Sequence, residues 1–155
     1  MKNNAYFKRI YEVCHEYSEI KRAHEDKKDE IRDTYGWDSP ELNAWYARMN
    51  EIEKSFPYTS GTMKAYWAFR NCETEELEVS DFCWDKEIED FIKALRDAGI
   101  ETFVVTNQST ALMENIHGFI KAGCTMEGAC TLEKLSRRWG DEKPEYLMGI
   151  RFKVN

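Results

Sequence analysis

The spacing of apolar residues changes near residue 76, and this constrains the fold more than any other feature of the chain. Before it, Tyr6, Ile10, Val13, Tyr17 and Ile20 recur at helical intervals, and the segment stays helix-compatible through Ile31 and Tyr35. Gly36 is a natural stop. Ser39 followed by Pro40 reads as an N-cap with a first-turn proline. It opens a second helix with Leu42, Trp45, Met49, Ile52 and Phe56 on its inner face, ended by Pro57. The segment "SGTMKAYWAFRNC" suits a third helix, although Tyr66 to Phe69 also suits a strand.

Beyond residue 76 the rhythm becomes strand, helix, strand, helix, strand, strand. Leu77 to Val79 is a short strand, and Asp85 is the expected cap of a helix burying Ile88, Phe91, Ile92 and Leu95 before Gly99. Ile100 to Thr106 is the clearest strand, β-branched and aromatic. Ser109 or Asn107 is expected to cap the next helix, with Leu112, Ile116, Phe119 and Ile120 buried and Gly123 at its end. Two last strands, roughly Cys124 to Leu135 and Tyr146 to Val154, flank the turn "SRRWGDEKPE" and are expected to pair antiparallel. A helix between the first two strands favours a parallel crossover, hence a mixed sheet. The expectation is one α+β domain over residues 1–155, with a mainly helical front (1–72) and an α/β unit (73–155).

Charge is concentrated. The window from Glu73 to Asp90 holds nine acidic residues and one basic, against a net charge of −7 for the whole chain. Asp85, Glu87, Glu89 and Asp90 suit the first turns of a helix, where the macrodipole favours carboxylates. Glu73, Glu75, Glu76 and Glu78 have no such local reason, and an exposed acidic ribbon there repels nucleic acid and attracts a basic surface. At the last turn, Arg137 and Arg138 beside Trp139 form a typical recognition tip. Glu73, Glu75, Glu76, Glu78, Asp81, Asp85, Arg137, Arg138 and Trp139 are therefore the candidate partner-binding residues.

The loop "TNQSTALME" offers a second candidate. A strand delivering its carboxyl end to a helix start leaves free N–H groups that favour anions, so Asn107, Ser109 and Thr110 are candidate ligand contacts. Glu114 and His117, three apart on the following helix, join them as an acid–base pair. The loop contains no glycine to let a phosphate approach the backbone, and ordinary capping is the favoured reading. The odd set of five cysteines and the three histidines shows no metal-ligand spacing, and no catalytic residue, metal or cofactor is assigned. The N-terminus "MKNNAYFKRIYEV" has no apolar h-region and no run suits a membrane span, so a soluble, cytoplasmic protein is expected.

Two resemblances accompany this reading. The order of elements from Asp85 to Val154, with Asn107, Ala111, Gly123 and Gly128, resembles the carboxyl half of a GNAT acyltransferase. That likeness implies a nucleotide or coenzyme A site at the strand–helix loop 106–110, although "CWDKEIED" stands where the family carries its glycine-rich pyrophosphate loop. The last 75 or so residues, with "WDKEIEDFIKALRDAGIETFVVT" and "STALMENIHGFIKAGCTMEG", also resemble an uncharacterised family of small proteins from Clostridia-type gut bacteria and their mobile elements. This second resemblance implies a counter-defence, anti-CRISPR-like inhibitor. The leading expectation is thus a non-catalytic module for a protein partner with a basic surface, without direct nucleic-acid or membrane binding. An acyltransferase-like or nucleotide-binding relic is the alternative, and the oligomeric state is left open.

Overall fold

In the computed structural model, which describes residues 3–79, 85–136, 140 and 142–155, helices precede and then alternate with strands. The order is α1 (Ala5–Glu25), α2 (Lys28–Tyr35), α3 (Pro40–Lys54), α4 (Ser60–Arg70), β1 (Leu77–Val79), α5 (Asp85–Asp97), β2 (Thr102–Thr106), α6 (Leu112–Lys121), β3 (Thr125–Ser136) and β4 (Lys143–Lys153). The fold is α+β with a four-stranded mixed sheet. Internal contacts divide the chain into two compact units, Lys8–Pro57 and Met1–Phe7 with Tyr58–Asn155, so α4 belongs with the sheet. Among the described residues no helix is long and apolar enough to cross a membrane.

In the helical unit, the helix expected to reach Tyr35 breaks after Glu25. Trp45 Nε1 donates to the His24 carbonyl at 2.7 Å, and His24 Nε2 lies 2.8 Å from the Trp45 carbonyl. The two rings stack at 4.9 Å. With that carbonyl turned to the indole, the helical ladder gives way to an i−3 bond from Lys27 N, and α2 starts afresh. Ile20, expected inside, is 55% exposed. The inward side of that turn is held by Tyr17 on Phe56 and Lys21 on Glu53, which rotates Ile20 outward. In α3 the expected cap is present, Ser39 Oγ accepting from Leu42 N at 3.2 Å. Leu42, Trp45, Met49 and Ile52 are buried as their spacing requires.

The sheet runs β1-β2-β4-β3, with β1 parallel to β2 and the other pairs antiparallel. One face carries Phe103 and Phe152, stacked 5.5 Å apart. Phe91 from α5 and Phe119 from α6 close over them, Phe119 lying 5.0 Å from Phe103 and 5.9 Å from Phe91. All four are essentially inaccessible, and such aromatic contacts add about 0.5–1.5 kcal/mol per pair beyond area burial. The inner face expected for α5 is the observed one. That of α6 is not: Ile120 is 48% exposed, and Asn115, one turn before Phe119, takes the inward position. Asn4 ties the chain's start to this unit, accepting from Phe7 N at 3.2 Å and donating to the Ala98 carbonyl at 2.7 Å. Phe7 then stacks on Phe69 of α4 at 4.5 Å.

Helix α4 approaches α5 closely enough that a Cβ on Gly61 would collide with the Glu87 carbonyl oxygen and sit 3.0 Å from Phe91 N. Backbone atoms cannot retreat as a side chain does. Nearby, Glu87 reaches the start of α4, accepting from Ser60 Oγ at 2.5 Å. Gly61→Ala is expected to destabilise the protein by about 1–3 kcal/mol through overpacking. Chemical denaturation measures it, and an unchanged midpoint would disprove the close approach.

Candidate functional site

The second face of the sheet is polar where a core is usually apolar. Side chains alternate across a strand, and the register puts Glu78, Val104, Thr106, Arg151, Leu147, Cys130, Leu132 and Lys134 on this face. Glu78 is only 8% exposed, and its carboxylate accepts from Thr106 Oγ1 at 3.1 Å. Lys134 Nζ lies 3.7 Å from its other oxygen. Glu76 receives Arg151 in a two-pronged pair, Nε at 2.8 Å and Nη2 at 2.5 Å.

The first of these contacts fixes the shape of the sheet. Three strand spacings separate β1 from β3, and the register aligns Glu78 with Gly128 through Val104 and Arg151. Lys134 lies six residues further along β3, a separation of roughly 25 Å in a flat sheet. A lysine and a glutamate do not bridge that gap, so the β3–β4 hairpin curls until Lys134 stands over β1. A register shift between Met126 and Gly128 lies at the foot of β3, where an extra residue bends the strand. Inside the curl, Val104, Leu132 and Leu147 form a small apolar cluster with Cys130 at its margin.

These pairings correct the acidic ribbon expected from the sequence. Glu78 is buried and partnered, Glu76 is half-buried against Arg151, and Glu87 sits inside with Ser60 and Lys64. Glu73, Glu75 and Glu89 remain exposed. A carboxylate in the interior is tolerated only with partners, and folding has supplied them from residues distant in the sequence. Asp81, the Asp85 side chain, Arg137, Arg138 and Trp139 lie outside the described residues.

The strand–helix loop is also built differently from its expected form. Helix α6 begins after Ala111 with no side-chain cap, so neither Ser109 nor Asn107 caps it. Ser109 instead folds back, its N–H on the Thr106 carbonyl at 3.1 Å and its Oγ accepting from Asn115 Nδ2 at 3.3 Å. The Ser109 hydroxyl is thus engaged by a side chain from inside the helix. Asn115 is 1% exposed, and its Oδ1 has no hydrogen-bond partner among the described residues. Asn107 spends its N–H on the Met148 carbonyl at 2.9 Å. Asn107, Thr110, Glu114 and His117 are exposed, and His117 faces a small groove of about 120 Å³ between α5 and α6, shared with Glu89 and Lys121. The loop therefore joins Ser109 to Asn115, a residue of α6 that the sequence pattern did not single out.

Burial pushes the thiols of Cys14, Cys124 and Cys130 above their ordinary value, which leaves them protonated near neutrality and poor nucleophiles. No group of His, Cys, Asp or Glu among the described residues is arranged to hold a metal ion.

What the curled hairpin turns outward is an apolar row on β4 with Leu135, set beside Thr131 and Glu133. Thr131, Glu133 and Leu135 of β3 face Met148, Tyr146 and Pro144 of β4 on its outer side. Tyr146 is 65% exposed, Met148 68% and Leu135 50%. β3 is also an edge strand, paired only with β4.

The class defined by these features is an α+β domain with a curled four-stranded sheet whose second face is closed by ion pairs. Residues 61–154 match a domain of unknown function, DUF7698, and the chain belongs to that family. No curated protein and no solved structure matches the chain. The matched stretch lies within the sheet-bearing unit, and α1 to α3 precede it.

The pair at Arg151 has a pH signature. Hydrogen bonds from Arg151 hold the Glu76 carboxyl below the ordinary glutamate range, burial opposing them. A depressed folded value stabilises the protein above the unfolded value of about 4.3 and is lost as pH falls through the folded one. Glu76→Gln is expected to lower stability at neutral pH and to flatten its fall on acidification below that value. Urea midpoints across this range test it, and parallel profiles for the two proteins would remove the pair from the account.

Proposed function

We propose that this chain is a non-catalytic protein-binding module that engages its partner through the outer face of the β3–β4 hairpin. The observation that carries this reading is the row of Tyr146, Met148 and Leu135, held open to solvent on a hairpin that the Glu78–Lys134 pair folds toward β1. Apolar side chains gathered beside an unpaired strand edge are what a partner strand or apolar ridge covers. The finer version, a counter-defence inhibitor directed at a basic nucleic-acid-handling protein, draws on the chain's net charge of −7 and on the exposed Glu73 and Glu75. Glu76 and Glu78 do not belong to that surface, since Arg151 and Lys134 of the hairpin engage them.

Capture of partners from a host lysate separates the two versions. Tyr146→Ser with Met148→Ser is expected to abolish capture while leaving the melting transition unchanged. Capture through the hairpin persists in about 0.5 M salt, where charge steering is screened. Loss of capture with Glu73→Gln and Glu75→Gln, but not with the hairpin variant, would transfer the function to the acidic residues.

A second reading has its own observation, the unpartnered Asn115 Oδ1 beside Ser109 at an uncapped helix start. It favours a small polar ligand at the 106–110 loop, the acyltransferase-like or nucleotide-binding alternative. A ligand at a hundred times its dissociation constant adds about 2.7 kcal/mol of stability. Thermal shift with acetyl-coenzyme A and nucleotides is expected to be positive on this reading and lost in Asn115→Leu. Silence at millimolar ligand ends it.

A further inference from the structure

The helical unit exposes a second set of aromatic side chains, one of them stacked against a guanidinium. Trp37, in the turn between α2 and α3, is 67% exposed, with Tyr35 at 56% and Tyr46 at 45%. None of them belongs to the core formed by α3, which is Leu42, Trp45, Met49 and Ile52. Lys28, Arg32 and Tyr35 fall on one side of α2 at i, i+4 and i+7. Lys28 Nζ lies 5.1 Å from the Tyr46 ring centroid, and the Arg32 guanidinium lies 5.2 Å from that of Trp37. Trp37 and Tyr46 are thus each reached by a cation from the side of α2 that Tyr35 shares, Lys28 lying also 5.2 Å from the Trp45 ring.

Arg32 is itself gripped, by Asp29 at 2.7 Å and Asp33 at 2.9 Å. Two carboxylates hold a guanidinium, and the guanidinium holds one face of an indole that stays in water. This stack buries little, but it removes side-chain freedom that Trp37 would otherwise lose on meeting a partner. Tryptophan, tyrosine and arginine are the residue types that dominate binding energy at protein interfaces.

The surrounding charge selects the occupant. From Lys28 to Glu41 the chain carries five carboxylates, Asp29, Glu30, Asp33, Asp38 and Glu41, against Lys28 and Arg32. Both cations sit against the rings, while Glu30, Asp38 and Glu41 are exposed and form no ion pair among the described residues. A nucleic-acid phosphate is repelled there. A second copy meeting this face across a two-fold axis would set like charges against each other.

We propose that the α2–α3 corner is a docking surface for a basic, amphipathic segment of a partner protein, with Trp37 as its anchor. The surface lies in the helical unit, outside the matched family domain, and stands independently of the hairpin face. The test is selection of a random short-peptide display library on the full chain, with counter-selection on Trp37→Ala. The surviving peptides are expected to combine Lys or Arg with apolar residues and to shift the Trp37 indole NMR signal. They should bind Trp37→Ala about tenfold or more weakly, weaken with salt, and bind the Tyr146→Ser, Met148→Ser variant as they bind wild type. Arg32→Gln keeps the indole but frees it, and is expected to weaken the same peptides with the melting transition unchanged. The proposal is overturned if only acidic or uncharged peptides survive, or if none depends on Trp37. It is equally overturned if a single-stranded oligonucleotide moves the indole signal, or if that signal shifts with protein concentration alone.

Discussion

The carboxylate of Glu78 sets the terms for the sheet. A carboxylate on the edge strand β1, only 8% exposed, is costly without partners, and β1 is too short to provide them. Thr106 on the adjacent strand supplies one hydrogen bond, and the remaining partner comes from Lys134 at the far edge. Because that edge stands three strands away, satisfying one glutamate requires the whole hairpin to bend. The apolar cluster of Val104, Leu132 and Leu147 then occupies the space the bend encloses. A polar requirement on one side of the sheet thus produces an apolar surface on the other, since the alternation that turns Leu132 and Leu147 inward turns Tyr146 and Met148 outward.

Much of this architecture is visible in the order of residues. The switch from helical spacing to strand–helix alternation near residue 76, the Ser39–Pro40 start and the inner face of α5 all follow from local rules, because each rests on neighbours within a few positions. The features that decide surfaces do not. His24 and Trp45 exchange hydrogen bonds across 21 positions and break a helix that is continuous by propensity. Asn115 displaces Ile120 from the interior because Ser109 waits for it in the preceding loop. The first pair is too far apart for any window that shows a period, and the second joins a loop residue to a helix residue, across which no single period runs.

The same distinction governs charge. Nine acidic residues within the Glu73–Asp90 window suggest a single electrostatic surface, yet adjacency along a chain is not adjacency on a protein. Strand geometry sends Glu76 and Glu78 to the face where Arg151 and Lys134 arrive from the last hairpin, and Glu87 turns toward the start of α4. What was an excess in one dimension becomes a set of struts in three, joining the segment to distant elements. Among the described residues of that window, Glu73, Glu75 and Glu89 stay exposed and contribute to the net charge.

A clustered charge is therefore informative about binding only after its internal partners are subtracted, and at the α2–α3 corner that subtraction leaves Glu30, Asp38 and Glu41. There, Arg32 does not neutralise the surface from within as Arg151 does. It is taken up by Asp29 and Asp33 while resting on an indole that remains in solvent. Glu76–Arg151 and Asp33–Arg32 use the same chemistry to opposite ends: one closes a sheet face, and the other fixes a side chain that no core needs. The first lies within the shared family domain, and the second lies in the helices that precede it. The matched domain holds the sheet and its hairpin, whereas the stacked tryptophan lies among the helices before it.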